Sequence, residues 1–260
     1  MRNQLIYDLP MRIFHWLFAG LFIAAFLIAK TVDDESPVFS YHMLAGLLLG
    51  FTVLLRILWG FIGTKHSKFA SFALHPKDLV AYFTGILSGD KRRWAGHNPA
   101  SSWAAIAMFG LALGLGLTGY LMASGQKETF EDIHELMANG FLVVVLMHIA
   151  GIALHAIRHQ DGIALTMVDG AKKDLPAAEA ISSSRPGIAL LFVGLVLTFA
   201  THLAGNFDNQ KQTLNVFGTT LELGENEGDE SNEGGKGDKG DEQNDENEKN
   251  QNDDDDGDDD

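Results

Sequence analysis

Residues 131–160, EDIHELMANGFLVVVLMHIAGIALHAIRHQ, decide the fold. From Leu136 to Ile157 the stretch holds no charged residue, enough length for one helix to cross a bilayer. It carries four histidines, His134, His148, His155 and His159. Ionisable side chains inside such a span are costly and are usually kept for function. His134 and His148 lie fourteen residues apart. At about 100° per residue they fall within roughly 40° of each other on one helix face, with a rise of about 21 Å between them. Two imidazoles on one face, one near each membrane surface, suit two haems stacked across a bilayer. One interfacial and one packed histidine would give the same pattern, and this helix alone leaves both readings open.

Outward from that helix the chain reads as further spans. Met11–Ala29, Met43–Gly63, Trp103–Ala123 and Gly187–Ala204 are apolar runs near twenty residues. The first run lacks a small-residue cleavage site and reads as a retained helix. Between the second and third, HPKDLVAYFTGILSG predicts a short amphipathic helix lying on the membrane surface. Lys and Arg concentrate in the N-terminus and in segments 64–100 and 158–185, which predicts those regions, and the N-terminus, in the cytoplasm.

Composition divides the chain in two. From Leu221 onward nineteen acidic residues face three lysines, a net of −16 against −15 for the whole chain, so the body carries about +1. The acidic segment is low in complexity and predicts disorder. The chain has no cysteine, which excludes disulfides, Cys-held iron–sulfur clusters and thioether-attached haem. No nucleic-acid partner is expected. The expected domains are 1–180 as a four-helix transmembrane unit, 186–207 as an additional transmembrane helix, and 208–260 as a disordered acidic tail outside the cytoplasm.

Helix direction now sorts the histidines by depth. His42 opens the second span and His134 the fourth, both entering from outside, so these two share an outer level. His15 lies fifteen residues before Lys30, about 22 Å below the outer boundary, and meets the level of His148. Two bis-histidine pairs at two depths, His42/His134 outer and His15/His148 inner, predict two b-type haems. His155 would lie about 31 Å below His134, too deep for His15. It is therefore read, with His159, as a solvated histidine on a cytoplasmic extension, and His202 as interfacial. Arg56 shares the face of His42 and reaches the inner level. It reads as a haem-propionate partner, with snorkelling to the interface as the alternative. Gly46, Gly50, Gly110, Gly114, Gly116 and Gly119 read as sites of close helix packing, and a flat macrocycle needs the same clearance.

Four stretches, YDLPMRIFHW, SYHMLAG, RRWAGHNPASSW and HELMANGFLVVVLMHIAG, make residues 5–175 resemble the bacterial cytochrome b561 / nickel-hydrogenase cytochrome b family. The resemblance implies an all-α membrane fold, a four-helix bundle holding two haem b groups through His15, His42, His134 and His148. It also implies electron transfer between the membrane quinone pool and a partner redox protein. His97, in the GHNP stretch, also matches the family; a simple structural turn and a loop contacting haem or quinone are both open readings of it. The expected setting is the bacterial inner membrane, with quinone as substrate and a periplasmic cytochrome c, or a hydrogenase or other dehydrogenase subunit, as partner. Whether the chain acts as or within a quinone oxidoreductase stays open. A histidine-dependent ion or proton transporter and a passive anchor subunit are the readings of other classes.

Overall fold

The computed structural model describes residues 3–89, 92, 94–159, 163–173 and 175–223. Its elements in chain order are β1 (Asn3–Leu5), α1 (Leu9–Thr31), α2 (Ser40–Ile62), α3 (Pro76–Ser88), α4 (Pro99–Leu121), α5 (Lys127–His159), α6 (Thr166–Asp169), β2 (Ala171–Lys173), α7 (Pro186–Gly205), β3 (Phe207–Asp208), β4 (Thr213–Val216) and β5 (Thr219–Glu222). The chain is mainly helical. Among the described residues four helical runs, Leu9–Thr31, Pro37–Ile62, Pro99–His159 and Pro186–Gly205, are long and apolar enough to cross a membrane. The third contains both α4 and α5, because the chain reverses at Met122–Gln126, where Gly125 takes φ 89°, a conformation that costs glycine little.

Local sequence explains where the helices begin. Asp8 caps α1, its Oδ1 accepting from the Met11 amide at 2.8 Å, with Pro10 inside the first turn. Asn98 caps α4 by accepting from the Ser101 amide at 2.8 Å, again followed by proline. The predicted amphipathic helix is α3, closed by left-handed Gly89.

The helices pair antiparallel. α1 meets α2 through Phe22, Leu49 and Val53 at mid-length and through Phe14, Leu55 and Trp59 at one end. Along the α4–α5 hairpin, Thr118 faces His134 and Gly114 faces Met137. Phe141 of α5 is fully buried against Phe18 and Phe22 of α1, with ring centroids 5.7 and 4.3 Å away. These rings fill the middle of the bundle and divide its two ends. α7 lies along α1 and α2 outside the four-helix group, through Phe192 and Phe199.

Two small sheets tie the ends. β1 pairs antiparallel with β2, Gln4 opposite Lys172, so the polar-looking N-terminus is anchored, with Ile6 and Tyr7 buried. β3, β4 and β5 form an antiparallel sheet. The expectation of disorder from residue 208 is corrected there: Leu214 and Leu221 pack with Leu203 and Ala123. Their alternation on paired strands buries one face, which the surrounding Asn, Thr and Gln obscure in the sequence. The acidic stretch from 224 onward lies outside the described residues.

Candidate haem-binding site

At one end of the bundle, expected to be the outer one, His42 and His134 face one another with ring centroids 6.1 Å apart and planes inclined by 73°. The His42 Nδ1 lies 2.8 Å from the carbonyl oxygen of Ala25 on α1. A carbonyl only accepts, so Nδ1 holds the proton and Nε2 keeps its lone pair. The His134 Nδ1 lies 2.8 Å from the Thr118 Oγ1. That hydroxyl gives its own hydrogen to the Gly114 carbonyl at 2.9 Å, so Oγ1 accepts from Nδ1–H and again leaves Nε2 free. Buttressing one ring nitrogen in this way is how metal-ligating histidines are oriented. Two imidazoles on opposite sides of one metal, with metal–nitrogen bonds of about 2 Å, have ring centroids roughly 6 Å apart. The pair therefore fits axial ligation of one haem. Phe39 stacks on His42 at 5.3 Å.

The expected role of the glycines in helix packing holds at Gly114, whose absent Cβ leaves room for the Met137 methyl group. At Gly46, Gly50, Gly110 and Gly116 an added Cβ would meet nothing within 4 Å. These four leave open space beside the helices instead, and Gly46 does so one turn along the His42 face.

At the opposite end, expected to be the inner one, His15 and His148 line one cavity of about 280 Å³ together with Arg56 and His97. Arg56 is 3% exposed, which rules out snorkelling. Its guanidinium sits 5.3 and 5.5 Å from the ring centroids of Phe69 and Phe109, and neither Nη atom has a hydrogen-bond partner. Asp8, the buried carboxylate at this end, is already engaged by Met11, Trp59, Thr64 and Ser67. A buried cation with unpaired donors is costly unless an anion joins it. Haem b brings two carboxylates, so the cavity's donor set fits it. His97, beside α4, packs against Tyr7 and Phe72 with ring centroids 5.7 and 4.7 Å away. Burial first, then Arg56 and the neighbouring imidazoles, push its pKa down to about 3, so it is neutral.

The structure keeps the other histidines apart from these pairs. His155 is buried, not solvated: its ring stacks on His159 at 4.3 Å, because α3 covers this end of α5 and Arg158 donates to the Ile86 carbonyl. Both line a second cavity, of about 470 Å³, which shares His148 and Ile152 with the first. His202 stacks on Phe217, in the turn between β4 and β5, at 5.2 Å. Thr118 is the site residue that sequence reasoning missed. Its signal was a lone hydroxyl at the His134 level of a neighbouring helix.

A family model described as prokaryotic cytochrome b561 matches residues 6–170. A probable Ni/Fe-hydrogenase B-type cytochrome subunit of Rhizobium leguminosarum bv. viciae is 24% identical over 64% of this chain and 87% of its own length. A probable Ni/Fe-hydrogenase 1 B-type cytochrome subunit of Escherichia coli K12 is 26% identical over 48% of this chain and 63% of its own length. No solved structure matches.

Proposed function

The chain belongs to the prokaryotic cytochrome b561 family and is a multi-pass membrane b-type cytochrome of electron transfer; from that premise we propose that it carries electrons across the bacterial inner membrane through two bis-histidine haems. His42 and His134 hold the outer haem, and His15 and His148 the inner one. Arg56 pairs with the inner propionates. The observation that carries this reading is the outer pair, whose two Nδ1 atoms are both tied back while the rings stand one porphyrin apart. Bound there, haem b supplies a one-electron couple that the chain's own side chains lack.

The residues do the positioning. Ala25 and Thr118 fix the outer imidazole tautomers, and a haem held by two histidines would serve electron transfer rather than oxygen binding. Phe18, Phe22 and Phe141 keep the middle of the bundle dry between the two levels. The second cavity suits a quinone ring. It is largely apolar, holds a few polar groups such as Tyr82 and Arg158, and borders His148. The basic loops favour a cytoplasmic N-terminus and a periplasmic acidic C-terminus. The hydrogenase-subunit names of the relatives favour a hydrogenase as redox partner, with a periplasmic cytochrome c as the second choice. The unpaired Arg56 donors favour an anionic cofactor over a histidine relay for ions.

Redox titration of purified membranes tests the proposal. Two b-type transitions are expected, with about two haems per chain. His42→Ala and His15→Ala should each remove a different one. A protein without a Soret band, or one keeping both transitions in these variants, overturns it.

A further inference from the structure

Arg56 has company in the inner cavity. His97 lines the same space, and its Nδ1 is buried with no hydrogen-bond partner. Its ring packing accounts for where the imidazole sits, and leaves the enclosed nitrogen unexplained.

The backbone carrying His97 is held on every side. Asn98 caps α4, and its carbonyl accepts from the Ser102 hydroxyl at 3.0 Å. The Lys172 ammonium donates to the Trp94 carbonyl at 2.7 Å. Gly96 lies so close to His66 that a Cβ would come within 2.8 Å of its Nδ1. His66 is itself tied to the Glu179 carbonyl at 2.8 Å. A site this well supported, with a buried polar atom left unmatched, is organised for a ligand rather than for packing.

The ligand chemistry follows from what surrounds the orphan atoms. Arg56 offers donors only, and among the described residues no carboxylate lines the cavity. An acceptor with two oxygens satisfies both residues at once. We infer that His97 and Arg56 form a two-point clamp, His97 donating Nδ1–H to one haem propionate while the Arg56 guanidinium pairs with the carboxylates of the same haem. This rests on the proposal that His15 and His148 hold the inner haem. With haem bound, the clamp would fix where its propionates lie, which His15 and His148 alone leave undetermined. It also draws negative charge away from the iron, which raises the potential of that haem.

The test uses the complete membrane protein and reads midpoint potentials. His15→Ala first identifies the inner transition by its loss; if both transitions survive, the haem assignment itself fails. In an otherwise native chain, His97→Phe keeps an aromatic ring against Tyr7 and Phe72 but removes the donor. His97→Gln restores a donor without the ring. The clamp requires His97→Phe to lower the inner midpoint and leave the outer one in place, with His97→Gln returning toward the native value. An inner transition unmoved in His97→Phe overturns the clamp while leaving the haem assignment intact. Equal shifts in both variants overturn it too, because ring packing would then account for the effect.

Discussion

Thr118 and His134 are joined by one 2.8 Å hydrogen bond whose direction is decided by a third atom, the Gly114 carbonyl that takes the threonine's only hydrogen. The imidazole is left with Nδ1 protonated and Nε2 bare. Removing such a support typically costs 10- to 100-fold in metal-site affinity. Thr118→Val should therefore keep the fold and lose outer haem at about that scale, whereas Thr118→Ser should retain it. Haem content after detergent washing, read as the pyridine haemochrome, measures the difference.

Arg56 should reverse its effect with loading. In haem-free protein its guanidinium is a buried charge with unpaired donors, a penalty of several kcal/mol in water-poor surroundings. Arg56→Leu is then expected to raise the melting temperature of the haem-free form and to weaken haem retention. Thermal unfolding of both forms settles the sign. A variant that destabilises both equally would make Arg56 a packing residue.

His97 gives a pH dependence of known direction. Its pKa lies near 3 in the fold, against about 6.5 when unfolded. Above pH 6.5 both states are neutral and stability is complete. As pH falls below that, the unfolded chain binds a proton the folded one refuses, so stability is lost. The loss is about 2 kcal/mol by pH 5. Glu179, held below the ordinary carboxylate range by its hydrogen bond from Lys65, adds its own loss only at lower pH. Haem-free protein should melt progressively lower between pH 6.5 and 5, and His97→Gln should flatten that slope.

That His42 would meet His134, and His15 share a cavity with His148, was legible in the sequence because helix rise and direction are fixed once the spans are found. Residue type and spacing alone bring His42 and His134 to one depth. What stayed hidden depends on chain segments far apart in sequence. Nothing local says that Gln4 pairs with Lys172, or that Phe69 and Phe109 enclose Arg56. The outer sheet was hidden differently. Its TLNVFGTTLE alternation was present, with Phe217 and Gly218 at positive φ forming the turn, but the acidic low-complexity stretch beyond it dominated the composition.

That sheet should be removable as a unit. Leu214 and Leu221 are fully buried where the sheet meets the ends of α4 and α7, and truncating such a leucine costs about 2–5 kcal/mol. Leu214→Ala combined with Leu221→Ala is expected to open residues 207–223 to added protease, with both haem transitions retained. Loss of the outer transition would instead make the sheet part of the haem enclosure.

Gly46 offers a steric test of the outer haem. It follows His42 by one helical turn and faces the same way, and a Cβ there would meet nothing within 4 Å. With no neighbour to strike, Gly46→Leu should fold, and the larger side chain should even favour the helix by about 1 kcal/mol. If the space beside His42 belongs to a porphyrin, however, the isobutyl group occupies it. Gly46→Leu is then expected to reach the membrane in normal amounts, keep the transition that His15→Ala abolishes, and lose the one that His42→Ala abolishes. Full haem content in Gly46→Leu would mean that this face looks onto lipid, and the outer macrocycle would have to lie on the other side of the His42 ring.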